Sequence, residues 1–533
     1  MTITTAKLAR AVWCAWNGPR RASWRRPLAA PLALAALLCA PAARADWKFT
    51  PTLDLRETWT DNVALRDEAQ KRSLFVSEVT PGFRLRHKGP RLTFNARYQL
   101  QYFAFSESDV AGTNRSARSG QASLSANLVD ELFYVDASAS KAQQGISPFG
   151  QLLTEENNYA SANRAEVTSW RVSPYLVHRF GARANAELRY THDEVDAGRI
   201  GLGNTEGDSL SLRVDSGTAF RTVGWGVQLS GQKIHDRAAA DSEIKAANFN
   251  LRYRIARTVN LTAALGYDKY DYQSLGGENG GRAWSTGFSW TPSLRTSLQA
   301  SFGRRYYGPS RSLTALHRSR HTVWSINYSD SVMSTRSNFL LPATIDTATM
   351  LDRLFTPNFA DPAERARAVE DYIRITGLPP QLSENVNFFS NRYALQKQLR
   401  ASMAFKKGRT SAVYSLYRVK RDMLSVRESD SPLLGSNSNT INDNTSQTGF
   451  NATLNYRLTP RTYLNLVSDI TRNESLSTGI GARSSAVRFS MRHQLRARMS
   501  GTIEVRHIEG NTALLAGRPY TENAVAASLS MQL

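Results

Sequence analysis

Residues 284–328 hold the pattern that most limits what this chain can become. Trp284, Thr286, Phe288 and Trp290 alternate with Ser285, Gly287 and Ser289, the segment 291–295 turns the chain, and Leu298, Ala300 and Phe302 resume the alternation. Further turns at Gly308 and Pro309 and at 318–320 bring it back through Trp324, Ile326 and Tyr328. A period of two sends alternate side chains to opposite faces of a strand, so a single ribbon separates an apolar surrounding from a wet one.

The same alternation opens at Trp47, Phe49, Leu53 and Leu55 and closes at Val525, Ala527, Leu529, Met531 and Leu533. With 41% hydrophobic residues and a mean hydropathy of -0.41, the chain beyond its N-terminus has no run suited to a transmembrane helix, which needs roughly 20 mostly apolar residues. A barrel strand crosses a bilayer in about 9 to 11 residues with only every second one apolar, so averaged hydropathy conceals it.

Residues 1–45 read as an export signal. Lys7, Arg10, Arg20, Arg21, Arg25 and Arg26 precede an apolar run at 28–38, and Ala43 and Ala45 flank a small-residue cleavage site. The mature protein is expected to be one domain over 46–533, with no plug domain ahead of the first strand. Both cysteines, Cys14 and Cys39, fall in the signal, which leaves no disulfide framework and no thiolate metal site afterwards. The signal also holds seven of the 67 basic residues and none of the 45 acidic ones, so 60 basic residues face 45 acidic ones in the remainder. Such an excess favours anionic partners, here lipopolysaccharide phosphates or an acidic polymer; nucleic acid is not an expected partner outside the cell.

Short turns are predicted near 88–90, 129–131, 180–183, 221–224, 257–260, 291–295, 318–320, 406–410, 459–462 and 496–501. Longer polar loops fall between them, as at 106–117, 144–166, 197–208, 274–281 and 425–446. Short turns at one end and long loops at the other are the arrangement of outer-membrane barrels. The expectation is an all-β, antiparallel transmembrane outer-membrane barrel of about 22 strands, within a range of roughly 18 to 24, integral to the cell outer membrane. The terminal strand is similar to those recognised by the barrel-assembly machinery, although it ends in Leu533 instead of the more usual Phe.

One segment breaks the pattern. The insertion at 334–386 is expected to be an extracellular loop carrying a helix: Asp361 as N-cap, Pro362 at the first helical position, Glu364 in the first turn, apolar Ala366, Val369 and Ile373, and a stop at Gly377, Pro379 and Pro380. Asp361, Pro362, Glu364, Val369 and Ile373 mark a candidate gate; the plain alternative is a loop packed on its neighbours.

Little in the sequence argues for catalysis. Eight histidines are scattered without metal-ligand spacing, no phosphate-binding glycine loop joins a strand to a helix, and the Asp193–Glu194 pair reads as loop solvation. No enzyme activity, catalytic residue, metal or cofactor is expected. The polar parity carries the signal instead. If the apolar parity meets lipid, Arg84, Arg86, Arg252, Arg254, Arg305, Arg400, Arg457, Arg488, Arg492 and Arg506 line the lumen, where they would either attract anions or pair with acids such as Asp54 and Asp136. Trp59, Tyr102, Tyr190, Tyr267, Tyr270, Tyr306 and Tyr307 are expected in the aromatic girdles at the membrane interfaces.

The runs Thr291-Pro-Ser-Leu-Arg-Thr296, Phe302-Gly-Arg-Arg-Tyr-Tyr-Gly-Pro309 and His317-Arg-Ser-Arg-His-Thr-Val-Trp324 resemble the outer-membrane barrel proteins associated with the PEP-CTERM/exosortase system. Glu57-Thr-Trp-Thr-Asp-Asn-Val63, Pro81-Gly82, Asp361-Pro-Ala-Glu-Arg365, Gly377-Leu-Pro-Pro380 and Asn387-Phe-Phe-Ser-Asn-Arg-Tyr393 are similar too. The resemblance implies a porin-like barrel for exopolysaccharide export, acidic polymer included, working beside a periplasmic polysaccharide-export protein. A general or anion-preferring diffusion porin and a non-conducting structural barrel stand as the alternatives.

Overall fold

The computed structural model describes residues 47–533 apart from 108–109, 111, 153, 155–156, 161–162, 198–203, 238–239, 273–278, 341–350, 354, 356–364, 366–367, 370–371, 374–391, 426–442 and 513–517. The signal at 1–45 and three of the candidate gate residues, Asp361, Pro362 and Glu364, lie outside the described residues.

Twenty-two strands follow in chain order. The first eight are β1 (Trp47–Thr60), β2 (Leu74–Lys88), β3 (Leu92–Phe105), β4 (Ser116–Val129), β5 (Phe133–Gly145), β6 (Arg164–Phe180), β7 (Ala184–Asp196) and β8 (Thr205–Ser216). Next come β9 (Val223–Asp236), β10 (Ser242–Ala256), β11 (Val259–Asp271), β12 (Gly280–Ser293), β13 (Thr296–Arg305), β14 (Gly308–Arg318) and β15 (Thr322–Met333). After a short helix, α1 (Thr335–Leu340), and the rest of the insertion, the chain resumes with β16 (Ala394–Lys407), β17 (Thr410–Met423), β18 (Asn444–Thr459), β19 (Thr462–Ser475), β20 (Gly481–Arg496), β21 (Met499–Asn511) and β22 (Pro519–Gln532).

Every strand pairs antiparallel with the next, and β22 pairs with β1 through Leu53↔Met531, Leu55↔Leu529 and Trp59↔Val525, so the sheet closes on itself. Closure removes both edges and satisfies the backbone groups that hydrocarbon cannot. The expected strand number and the ten short turns are both present. One connection at the long-loop end departs from the pattern: only Tyr306 and Tyr307 join β13 to β14, and Gly308 takes φ 109°, a backbone region that a side chain disfavours.

The two parities separate as the alternation predicts. On the outer face Leu265 is 65% exposed, Phe49 61% and Leu416 57%, and Trp284, Phe288, Trp290, Trp324 and Ile326 stand beside them on that same face. In water such a surface would forgo ~1.5 to 3 kcal/mol for each large side chain that could be buried, so hydrocarbon is its natural surrounding. The inner face carries small and polar residues such as Ser325, Ser402, Ser415, Asn451, Thr453 and Asn455, all buried. Several of them bond across to the next strand, Ser402 to Ser415 at 3.2 Å, Asn451 to Asp469 at 2.7 Å and Asn455 to Asn465 at 2.6 Å.

Candidate functional site: a lumen crossed by two inward segments

The first inward segment is the β5–β6 connection, 146–163. It reads in sequence as a solvated loop, but Phe149, Leu152, Tyr159 and Ala160 are buried. Tyr159 and Ala160 pack with Val63, Val76, Phe103 and Ala117; Leu152 joins Leu65, Ala486, Ile508 and Tyr520; Phe149 reaches Ala482. These contacts tie the connection to β20, β21 and β22, strands far from β5 and β6 around the wall, so the segment spans the interior as a chord.

Polar bonds fix its place. The Leu152 amide donates to the Tyr520 hydroxyl at 2.9 Å, and the Tyr159 hydroxyl donates to Glu522 Oε1 at 3.2 Å and accepts from Arg506 Nη2 at 2.8 Å. Around Glu522 the wall adds Arg506 at 2.9 Å and the Thr60 hydroxyl at 2.8 Å, and Arg56 pairs with Glu504 at 2.6 Å. Glu522 and Arg506 are almost wholly buried, and their pairing, the bonds from Thr60 and Tyr159, and Glu504 at 3.8 Å from Arg506 together make such charges tolerable there.

The second inward segment is the insertion between β15 and β16. Its start crosses to the opposite wall: Arg336 of α1 forms a buried ion pair with Asp193 of β7, Arg171 of β6 donates to the Leu340 carbonyl at 2.9 Å, and Leu340 packs against Ala165, Val167, Val195 and Ala197. Burial lowers the affinity of the Arg336 guanidinium for its proton, and the Asp193 carboxylate opposes that shift. Asp193 is therefore no solvated loop carboxylate. Its neighbour Glu194 points the other way and accepts from Trp170 Nε1 at 2.9 Å.

Deeper in the lumen, helical residues 351–353, 355, 365, 368–369 and 372–373 form a seat against the wall. Leu351, Phe355 and Val369 bury themselves with Val323 of β15, Ala404 of β16 and Val413 of β17, and Leu316, Ala368, Tyr372 and Ile373 pack around them. Val369 and Ile373 thus lie on the buried side of a helical stretch, as their spacing predicts. The insertion leaves and rejoins the wall at the long-loop end, and these helical residues reach inward from it: Val323, Ala404 and Val413 belong to the inner face near the short turns at 319–321 and 408–409.

The seat is also polar. Lys406 Nζ lies 3.8 Å from the Phe355 ring centre and 4.9 Å from that of Tyr372, whose hydroxyl is 2.6 Å from the Ser411 hydroxyl. Burial raises the Tyr372 hydroxyl above its ordinary pKa, and the bond to Ser411 opposes that shift. Arg365 pairs with Asp352 at 2.9 Å and joins two parts of the insertion. On its return the chain passes Tyr393, which stacks on Tyr272 with 4.7 Å between ring centres and hydrogen-bonds Ser242 of β10 at 2.7 Å.

All ten arginines expected in the lumen lie on the inner parity, but in different circumstances. Arg305 pairs with the buried Asp268 at 2.9 Å and Arg506 with Glu522, both toward the long-loop end. Arg400 is buried in mid-wall. Arg84, Arg86, Arg488 and Arg492 are half-buried, and Arg492 donates to the Ser500 hydroxyl at 2.7 Å. Arg252, Arg254 and Arg457 are exposed near short turns and have no partner among the described residues. Pairing with Asp136, one of the expected counter-charges, falls instead to Arg189, at 3.1 Å. Sequence reasoning passed over Arg56, Arg171, Arg189 and Arg336; the first three share the inner parity and were legible on that ground.

The expected aromatic girdle divides. Trp59, Tyr102, Tyr190 and Tyr267 are exposed on the outer face. Tyr270 lies on the inner parity, its ring 4.9 Å from that of the half-buried Tyr306, with Tyr307 5.3 Å beyond. These three join Tyr272 and Tyr393 at the rim of the lumen, which corrects their assignment to the interface.

No protein-family model and no curated protein matches the sequence. Among solved structures, the siderophore receptor PirA of Pseudomonas aeruginosa is 10% identical with a TM-score of 0.44, over 91% of this chain and 80% of its own. The FrpB iron transporter of Neisseria meningitidis is 8% identical with a TM-score of 0.46, over 91% and 81%. At this identity and superposition nothing about ligand or activity transfers to this chain.

Proposed function

We propose that this chain is an integral outer-membrane barrel that exports exopolysaccharide through a lumen held shut at rest by its own insertion. One observation carries the gated reading: the described parts of the insertion pack inside the wall, from Arg336 on Asp193 down to Val369 beside Val413. An insertion that served only the cell exterior would have no reason to bury its apolar face at the short-turn end. The apolar outer parity supports residence in the outer membrane, with lipid and lipopolysaccharide around it; in this reading the short turns face the periplasm, which is the usual polarity of such barrels. The choice of polymer, the link to the PEP-CTERM/exosortase system and a periplasmic polysaccharide-export protein as partner rest on the sequence resemblance.

Deleting the gene tests it. Polymer is expected to accumulate inside the cell while surface polymer disappears; a deletion strain with normal surface polymer contradicts the proposal. An anion-preferring diffusion porin is the second reading, favoured by the exposed Arg252, Arg254 and Arg457. It requires an open lumen, which the two inward segments oppose.

A further inference from the structure

Charge in the lumen is distributed unevenly along the barrel axis. Toward the long-loop end inner-face charges are tied up, Asp193 with Arg336, Asp268 with Arg305 and Glu522 with Arg506, and in mid-wall Glu504 pairs with Arg56. Toward the short turns Arg97, Arg252, Arg254 and Arg457 point inward from β3, β10 and β18, exposed and with no partner among the described residues. The carboxylates on this side are themselves engaged: Asp136 and Glu187 both pair with Arg189, Asp215 pairs with Arg213, and Asp54, further up the wall, lies near Arg84 and Arg492. A concave vestibule with low-dielectric walls focuses such a field and concentrates anions.

The vestibule meets the gate at one residue. Lys406 belongs to this basic end and lies within electrostatic reach of Arg457, yet its ammonium is also the cation on which Phe355 and Tyr372 of the insertion sit. A polyanion drawn in beside Arg457 competes with the two rings for that ammonium, because a carboxylate binds it more strongly than a ring quadrupole does. We propose that the short-turn vestibule is a binding site for an acidic, uronate-type polysaccharide, and that occupation of the site unseats the insertion by drawing Lys406 away from Phe355 and Tyr372. This rests on the export reading above, which supplies a carbohydrate in preference to an acidic protein, and it adds the class of polymer and the signal that opens the gate.

The test uses the protein of residues 46–533 in detergent and in planar bilayers. Oligogalacturonate is expected to bind by calorimetry, about tenfold more weakly in high salt than in low because screening removes the attraction, while neutral dextran oligomers of equal length do not bind. The variant R252Q/R254Q/R457Q should weaken binding at least tenfold; if its heat-modifiable gel mobility shows that it has not folded, R457Q alone should weaken it measurably. In bilayers, oligogalacturonate on the short-turn side should raise channel openings, and Lys406→Met should open at rest and lose that response. Dextran binding as well as uronate, unchanged binding in the arginine variants, openings independent of the side of addition, or binding of polyglutamate without uronate each overturn the inference. Normal surface polymer in the deletion strain would instead sink the export reading and leave uronate binding standing, so the two failures are distinguishable.

Discussion

Replacing Asp193 by asparagine removes the charge that holds Arg336 on the far wall while keeping the shape of the side chain. The two side chains are 4% and 7% exposed, so the guanidinium left behind has little access to water unless α1 moves. Breaking a buried ion pair by removing one partner costs about 3 to 5 kcal/mol. Taking the lower figure, and with about 1.4 kcal/mol per factor of ten, the ratio of released to latched insertion rises on the order of 100-fold. The assay is open probability in planar bilayers. Asp193→Asn should conduct far more often than the wild type, and the double variant D193L/R336M, which replaces the pair by apolar groups of similar bulk, should close again. A D193N channel as silent as the wild type, or a double variant as active as the single, refutes the latch.

Other consequences follow from the same geometry. Tyr372→Ala removes the hydroxyl beside Ser411 and one ring from Lys406, and should raise openings about 30-fold through the seat alone, on the basis of ~1 kcal/mol for each of the two contacts; unchanged openings place the seat elsewhere. Glu522→Gln takes from the buried Arg506 its nearer carboxylate, with Glu504 still 3.8 Å away, and should destabilise the barrel by ~1.5 to 3 kcal/mol, read as a lower urea midpoint with unchanged slope. Leu265→Arg should cost ~2 to 4 kcal/mol for folding into vesicles if its site lies near the bilayer midplane, whereas Ala264→Arg on the inner face should cost far less; equal costs would deny that the apolar parity meets lipid.

The wall was legible from sequence because a closed sheet has one rule at every residue. Trp284, Phe288 and Trp290 against Ser285, Gly287 and Ser289 state which face is which, and the same parity places Arg252 and Arg506 inside without any knowledge of their partners. What fills the wall obeys no such rule. Asp193 and Arg336 are distant in sequence, and each alone looks like a solvated loop charge. Phe149, Leu152 and Tyr159 sit among asparagines, glutamates and glutamines, so their stretch reads as polar, and only the facing surface of Ala482, Ile508 and Tyr520 reveals that it is interior. The helical spacing of Val369 and Ile373 announced an apolar face but not its cover, which is built by β14 to β17 from the inner side. Parity is a local property; the fit of a loop into a lumen is not.

Single-channel recording from the protein of residues 46–533, beside a variant lacking 343–380, tests most directly whether the insertion closes the lumen. The intact protein is expected to be silent or nearly so, and the shortened one to show a steady ohmic conductance with a preference for anions. Equal conductance in the two proteins would contradict the closed-lumen account.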